Sequence, residues 1–239
     1  SRLPDTDASE LVLFDDEASK LMAQFDIDAA IVTHERWLPW LGEVLQGARD
    51  ERLRPEVVRD AINAHLVPEP ISVLDVAAAE GDWHARFSAT ERRYIYRILN
   101  RKSPPALDRG RVWQVLRPLD VDAMRAGAAH LIGRHDFTTF RSTMCQSASP
   151  VKSLDEITIE ERDIPLGREY RFSLRARSFL HNQVRSIVGT LERVGAGSWP
   201  PDRVAEALAA RDRAACGPVC PPQGLYLTGV GYPQDPFAG

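Results

Sequence analysis

Cysteine is scarce in this sequence: Cys145, Cys216 and Cys220 are the only three among 239 residues. An odd and sparse set cannot staple a small secreted fold, and it points to reduced thiols in a cytoplasmic protein. Histidine is also sparse, with six copies and none near Cys216 and Cys220 in sequence. The roughly four ligands of a structural zinc site are therefore missing, and no metal is expected. No apolar run approaches the roughly 18–20 residues that a membrane-spanning helix needs. Ser1–Glu10 is polar and acidic, unlike a secretory or transit leader. Neither a Walker loop nor a Gly-x-Gly-x-x-Gly turn after a strand occurs, which argues against a nucleotide cofactor. What is present is an ordinary mixture, 44% hydrophobic and 27% charged, enough to bury a core in one large or two small domains.

The formal charge of −4 argues against a polyanionic partner, but its distribution reverses that reading. Residues 1–53 hold five basic and twelve acidic side chains, whereas the remainder holds 25 basic and 22 acidic. Within the remainder, His84–Arg117 carries nine Lys/Arg against Glu91 and Asp108 alone, interleaved with Tyr94, Tyr96 and Trp113. Such a stretch suits a phosphate-contacting face with stacking groups. It also suits a solvated pair of arginine-rich strands.

Hydrophobic spacing predicts helices over 11–25 and 38–45, with a strand at 27–33 between them. Pro55 opens a helix through Leu66, and Ile71–Val76 reads as a strand. Tyr94, Tyr96 and Ile98 alternate with Arg93, Arg97 and Leu99 as a strand does. Asp120 or Asp122 caps a helix ended by Gly133. Ile157–Ile159 and Tyr170–Ala176 form a hairpin around Pro165 and Gly167. Val184–Val194 is a helix closed by Gly195, a further helix follows Pro200 and Pro201, and Leu225–Val230 is a last strand. This order indicates an α+β fold with a mainly antiparallel sheet.

Several strings stand together in order: Trp83–Thr90 running into Glu91–Asn100, Gly133–Arg141 followed by Cys145-Gln146, Ser178–Thr190, and Gly224–Leu227. In this order and spacing they resemble the tRNA pseudouridine synthase A family over roughly residues 48–232. The resemblance implies two RRM-like halves sharing one sheet with helices on one side, divided as 1–88 and 89–239. It implies a homodimer that binds tRNA and isomerises uridine in the anticodon stem-loop, with neither cofactor nor metal. Tyr94 matches the family's active-site tyrosine, and Arg185 matches the basic residue that pairs with the catalytic aspartate. Phe179 and Leu180 would wall the base pocket, while Arg86, Arg93, Arg97 and Arg141 would contact the RNA backbone.

Two departures accompany the match. The family pattern has Asn where this chain has Ser178 and His where it has Asn182, both mild polar exchanges. More seriously, the Gly-Arg-Thr-Asp-Ala-Gly-Val-His loop that carries the nucleophilic aspartate has no counterpart in the 239 residues. Residues 1–47 are acidic and not family-like, so the N-terminal half is expected to be incomplete or replaced and the nucleophile is unknown. A catalyst and a tRNA-binding module without catalysis both stay open.

Overall fold

A computed structural model describes residues 54–68, 71–79 and 83–237. The expected elements at 11–25, 27–33 and 38–45, and the acidic segment 1–47 as a whole, lie outside the described residues. The chain divides into two compact units, one of residues 1–89 with 232–239 and one of residues 90–231.

In the first unit, helix α1 spans Pro55–Leu66, with proline in the first turn where its missing N–H is not needed. Its buried stripe, Val58, Ile62 and Leu66, packs against Ile71, Val73 and Val76. The stretch 71–79 is irregular rather than the expected strand. Asn63 explains why: its side-chain amide donates to the Val73 carbonyl at 2.8 Å and its oxygen accepts from the Val73 N–H at 2.7 Å. One side chain thus supplies both bonds that a neighbouring strand would give this residue.

The second unit is a six-stranded mixed sheet with three helices. Its strands are β1 (Glu91–Asn100), β2 (Trp113–Val115), β3 (Gly133–Asp136), β4 (Val151–Ile164), β5 (Gly167–Ala176) and β6 (Leu225–Gly231). The helices are α2 (Val121–Ala129), α3 (Gln183–Gly195) and α4 (Arg203–Ala210). Strand β1 is central. One edge pairs antiparallel with β5, while the other is shared, with β6 antiparallel along Glu91–Tyr96 and β2 parallel along Ile98–Asn100. The order continues from β5 through β4 to β3, so every pairing but β1–β2 is antiparallel, as the sequence indicates.

Alternation fixes which face is covered. Tyr96 and Ile98 of β1, and Tyr170, Phe172, Leu174 and Ala176 of β5, are buried with Met124 of α2, Ile187 and Leu191 of α3 and Val204 of α4. All three helices therefore pack on one face. In β4 the buried residues are Leu154, Ile157 and Ile159, and the three-residue step from 154 to 157 is a β-bulge at Leu154/Glu156. The extra residue turns Ile157 back onto the core face. Helix α2 is capped by Asp120, which accepts from the N–H groups of Asp122 and Ala123 at 3.0 Å.

The opposite face is polar. Arg93 lies opposite Arg175 and Arg97 opposite Arg171 in the β1–β5 register. Carboxylates answer this column: Glu91, Asp155 and Glu156 surround Arg175, and Glu169 and Asp108 hold Arg97.

Candidate active site

Tyr94 sits two residues before Tyr96 on β1, on the core face but half-exposed, where the sheet emerges from under the helices. Opposite Arg93 and Tyr94, strand β6 carries a β-bulge, with Thr228 as the extra residue between Leu227 and Gly229. The Tyr94 ring stands edge-on to Phe179, centroids 5.2 Å apart and planes at 89°. Phe179 belongs to the connection from β5 to α3.

That connection ends at Asn182, whose φ of 61° is in the left-handed region. Asparagine and histidine are both enriched there among non-glycine residues. The exchange of the family's His for Asn182 therefore keeps the turn into α3 feasible. The Asn182 Oδ1 accepts from Nη1 of Arg185 at 3.0 Å. Arg185 Nε donates to the Cys220 carbonyl at 2.7 Å, and the Cys220 N–H returns a bond to the Arg185 carbonyl at 3.2 Å. The guanidinium is thus fixed by two neutral oxygens, with donors to spare. Among the described residues Arg185 forms no ion pair with a carboxylate.

The segment around Cys220 reaches α3 because Gly189 lets it. A Cβ at Gly189 would stand 1.9 Å from the Pro218 carbonyl oxygen. Next along the segment, the Pro221 carbonyl accepts the Tyr96 hydroxyl at 2.6 Å. Burial raises the Tyr96 phenol well above its ordinary value and pushes the Cys220 thiol up to about 12. Both are neutral fixtures rather than acid–base groups.

A second loop leans on the first. Ser142 N–H donates to the His181 carbonyl at 3.1 Å, and His181 N–H donates to Cys145 Sγ at 3.4 Å. Arg141 Nη2 donates to the Cys145 carbonyl at 2.8 Å. Burial pushes the Cys145 thiol up, but bonds from the His181 and Ser147 N–H groups and the nearby Arg141 charge outweigh it, so the net shift is downward. Asp136 organises the approach to this loop, its Oδ1 accepting from the Thr138 hydroxyl at 2.7 Å and the Thr138 N–H at 2.9 Å. Phe137 and Phe140 are fully buried.

The structure therefore brings Tyr94, Phe179, Arg185 and Arg141 onto contiguous strand, helix and loop segments of one unit. Leu180 lies inside the core, 3% exposed, and braces the turn through its N–H to Gln183 Oε1 at 2.7 Å. Arg93 and Arg97 point away from Tyr94, because strand neighbours alternate faces. They are engaged by Glu91, and by Glu169 with Asp108. Arg86 belongs to the other unit. A concavity of about 560 Å³ opens near the other end of β1, lined by Asn100, Lys102, Leu116, Leu166 and Arg168 among others, away from the tyrosine. In the sequence Asn182 stands out only as a departure from the family pattern, and the carbonyls at 220 and 221 do not stand out at all. The asparagine just before a helix was the available signal.

A family model described as tRNA pseudouridine synthase matches residues 128–233. The tRNA pseudouridine synthase A of Paracoccus denitrificans is 71% identical over 184 residues, 77% of this chain and 70% of that protein. This chain belongs to the tRNA pseudouridine synthase A family. The family's proteins from Cereibacter sphaeroides and a Ruegeria species are 72% identical over 178 residues and 56% identical over 198. This chain covers 69% and 76% of those two proteins. Membership makes the chain a tRNA pseudouridine synthase by type, an isomerase. Among the described residues no helix is long and apolar enough to cross a membrane.

Proposed function

We propose that the chain binds the anticodon stem-loop of tRNA and supplies the tyrosine and arginine of uridine isomerisation. In that reaction the N1–C1′ bond of the target uridine breaks, the base turns over and C5 bonds to C1′. The C5 proton leaves and N1 takes one up, so the sum is an isomerisation without redox change, and no cofactor or metal is needed. The reacting base must leave its stack. Tyr94 stacks on it and its phenol assists removal of the C5 proton. Arg185 holds the nucleophilic carboxylate ionised and in place, Phe179 walls the pocket, and Arg141 meets the RNA backbone.

The observation that carries this reading is the state of Arg185. Two neutral oxygens fix the guanidinium, which leaves donors for a carboxylate. The partner itself is not among the residues of this sequence with the family's loop signature. A side-chain nucleophile splits one difficult step into two easier ones, and the arginine alone cannot replace it. The 239-residue chain is therefore expected to bind tRNA and form little or no pseudouridine. Joined to a segment carrying the Asp loop, it is expected to turn over. Pseudouridine detection on unmodified tRNA with both proteins tests this. Robust multiple turnover by the 239 residues would refute it, and would place one of the aspartates between Asp5 and Asp50 against Arg185.

The missing loop also favours a second reading, a tRNA-binding module of this fold that does not catalyse. Restored turnover in the joined protein decides between the two. In either reading the protein is a cytoplasmic homodimer, each chain built of two RRM-like halves, and its partner is tRNA.

A further inference from the structure

Phe87 is 75% exposed, yet its turn is firmly built. The Ser88 N–H donates to the His84 carbonyl at 2.9 Å and the His84 N–H to the Ser88 hydroxyl at 2.9 Å. His84 Nδ1 accepts from the N–H groups of Arg86 at 3.1 Å and Phe87 at 3.3 Å. From outside the turn, the Tyr232 hydroxyl donates to the Ala85 carbonyl at 2.8 Å, and the Trp83 ring lies 4.8 Å from that of Tyr232. These bonds fix the turn, and with it the direction in which the exposed Phe87 ring points.

Its neighbours define what it presents to. The His84 ring packs on Phe87 at 4.4 Å, and the Arg86 guanidinium carbon lies 5.7 Å from the Phe87 centroid, within cation–π range. Flat aromatic surface flanked by a guanidinium and an imidazole ring suits a stacked nucleobase. Unpaired bases are recognised by stacking on aromatic rings and guanidinium planes. The chain places this turn seven residues ahead of Tyr94. We infer that the His84–Phe87 turn is a stacking platform for an unpaired base of the RNA, apart from the base that reacts. The inference rests on the tRNA reading above.

The test uses the full chain and an anticodon stem-loop RNA carrying 2-aminopurine at successive loop positions, with the stem alone as a duplex control. Wild type and Phe87→Trp are expected to quench one or two loop positions. Phe87→Ala is expected to lose that quenching and bind the stem-loop roughly tenfold more weakly. Its salt slope stays unchanged, because no phosphate contact is lost, and its affinity for the stem duplex also stays unchanged. Retained binding and quenching in Phe87→Trp separates loss of stacking from loss of fold. Equal weakening on stem-loop and duplex, or no change on either, overturns the platform while leaving the tRNA reading intact. Failure of the wild-type chain to bind either RNA overturns both.

Discussion

Arg185 and Tyr96 are fastened to consecutive carbonyls of one loop, the arginine to Cys220 at 2.7 Å and the tyrosine hydroxyl to Pro221 at 2.6 Å. The strand that carries Tyr94 and the helix that carries Arg185 are thereby held to a common strap. Their spacing is set by one peptide unit, whose dimensions are fixed by covalent geometry.

This strap depends on Gly189. Replacing it by alanine puts a methyl 1.9 Å from the Pro218 carbonyl oxygen, and a backbone atom cannot swing aside as a flexible side chain does. Gly189→Ala is expected to cost about 3 kcal/mol, and Tyr96→Phe about 1 kcal/mol through loss of its hydroxyl bond. Denaturant titration of both variants measures this. A Gly189→Ala chain as stable as wild type would mean that the strap has another way past the helix.

The arginines of β1 are expected to serve the fold rather than the RNA. Arg97 is bound by Glu169 and Asp108, with side-chain exposures of 21% for Arg97 and 14% for Glu169. Hydrogen bonding to Glu169 raises the arginine's pKa. Arg97→Gln should destabilise the chain by about 1–3 kcal/mol, because Glu169 is left without its partner. It should leave the salt dependence of tRNA binding as it was. A log–log slope shallower by about 0.9 would instead return Arg97 to the phosphate contacts that the sequence suggests.

Cys145 and Cys220 should separate by pH. The net downward shift of Cys145 means that its thiolate forms below the ordinary thiol range, so it is available to alkylating agents at lower pH than a free cysteine. Cys220, pushed up to about 12 by burial, should stay protonated and unreactive throughout the neutral range. Mass spectrometry of iodoacetamide-treated native protein across pH 6–9 checks the order. Labelling of Cys220 before Cys145 would contradict it.

Asp136 should make stability fall in acid. The Thr138 hydroxyl and N–H bonds hold its carboxyl below the usual carboxylate range, with Arg211 adding to them. A depressed pKa contributes stability above the unfolded-state value and loses it as pH falls through the folded one. The difference in stability between wild type and Asp136→Asn should therefore be largest at neutral pH and shrink below the ordinary carboxylate range. Thermal melts from pH 7 to pH 3 would show it, and a difference that stays constant with pH would remove the carboxylate from the account.

Much of this architecture was legible in residue order, and the exceptions have physical causes. Strands β1 and β5 declare themselves because an unbroken period of two places Tyr96 and Phe172 inward and the arginines outward. The same period already told that Arg93 and Arg97 face away from Tyr94, although a cluster of positive charge invites a single reading. Strand β4 was read only at Ile157–Ile159 because its bulge shifts the pattern by one residue. The stretch 71–79 has the composition of a strand, but Asn63 from the neighbouring helix satisfies Val73 instead. At the site, Tyr94, Phe179 and Arg185 stand out through the strings that resemble the family, not through period or composition. The carbonyls of Cys220 and Pro221 carry no such signature, since every residue has one.

Tyr232 bonds to Ala85 across 147 positions of the sequence, and the Thr90 N–H donates to the Gly231 carbonyl at 2.8 Å. During synthesis these attachments must wait until residues 231 and 232 have been made. The turn that presents Phe87 emerges from the ribosome early and gains its anchor late. A nascent or prematurely terminated product would have the arginines of β1 but an unsecured ring, and would make a poor competitor for RNA until translation had passed residue 232.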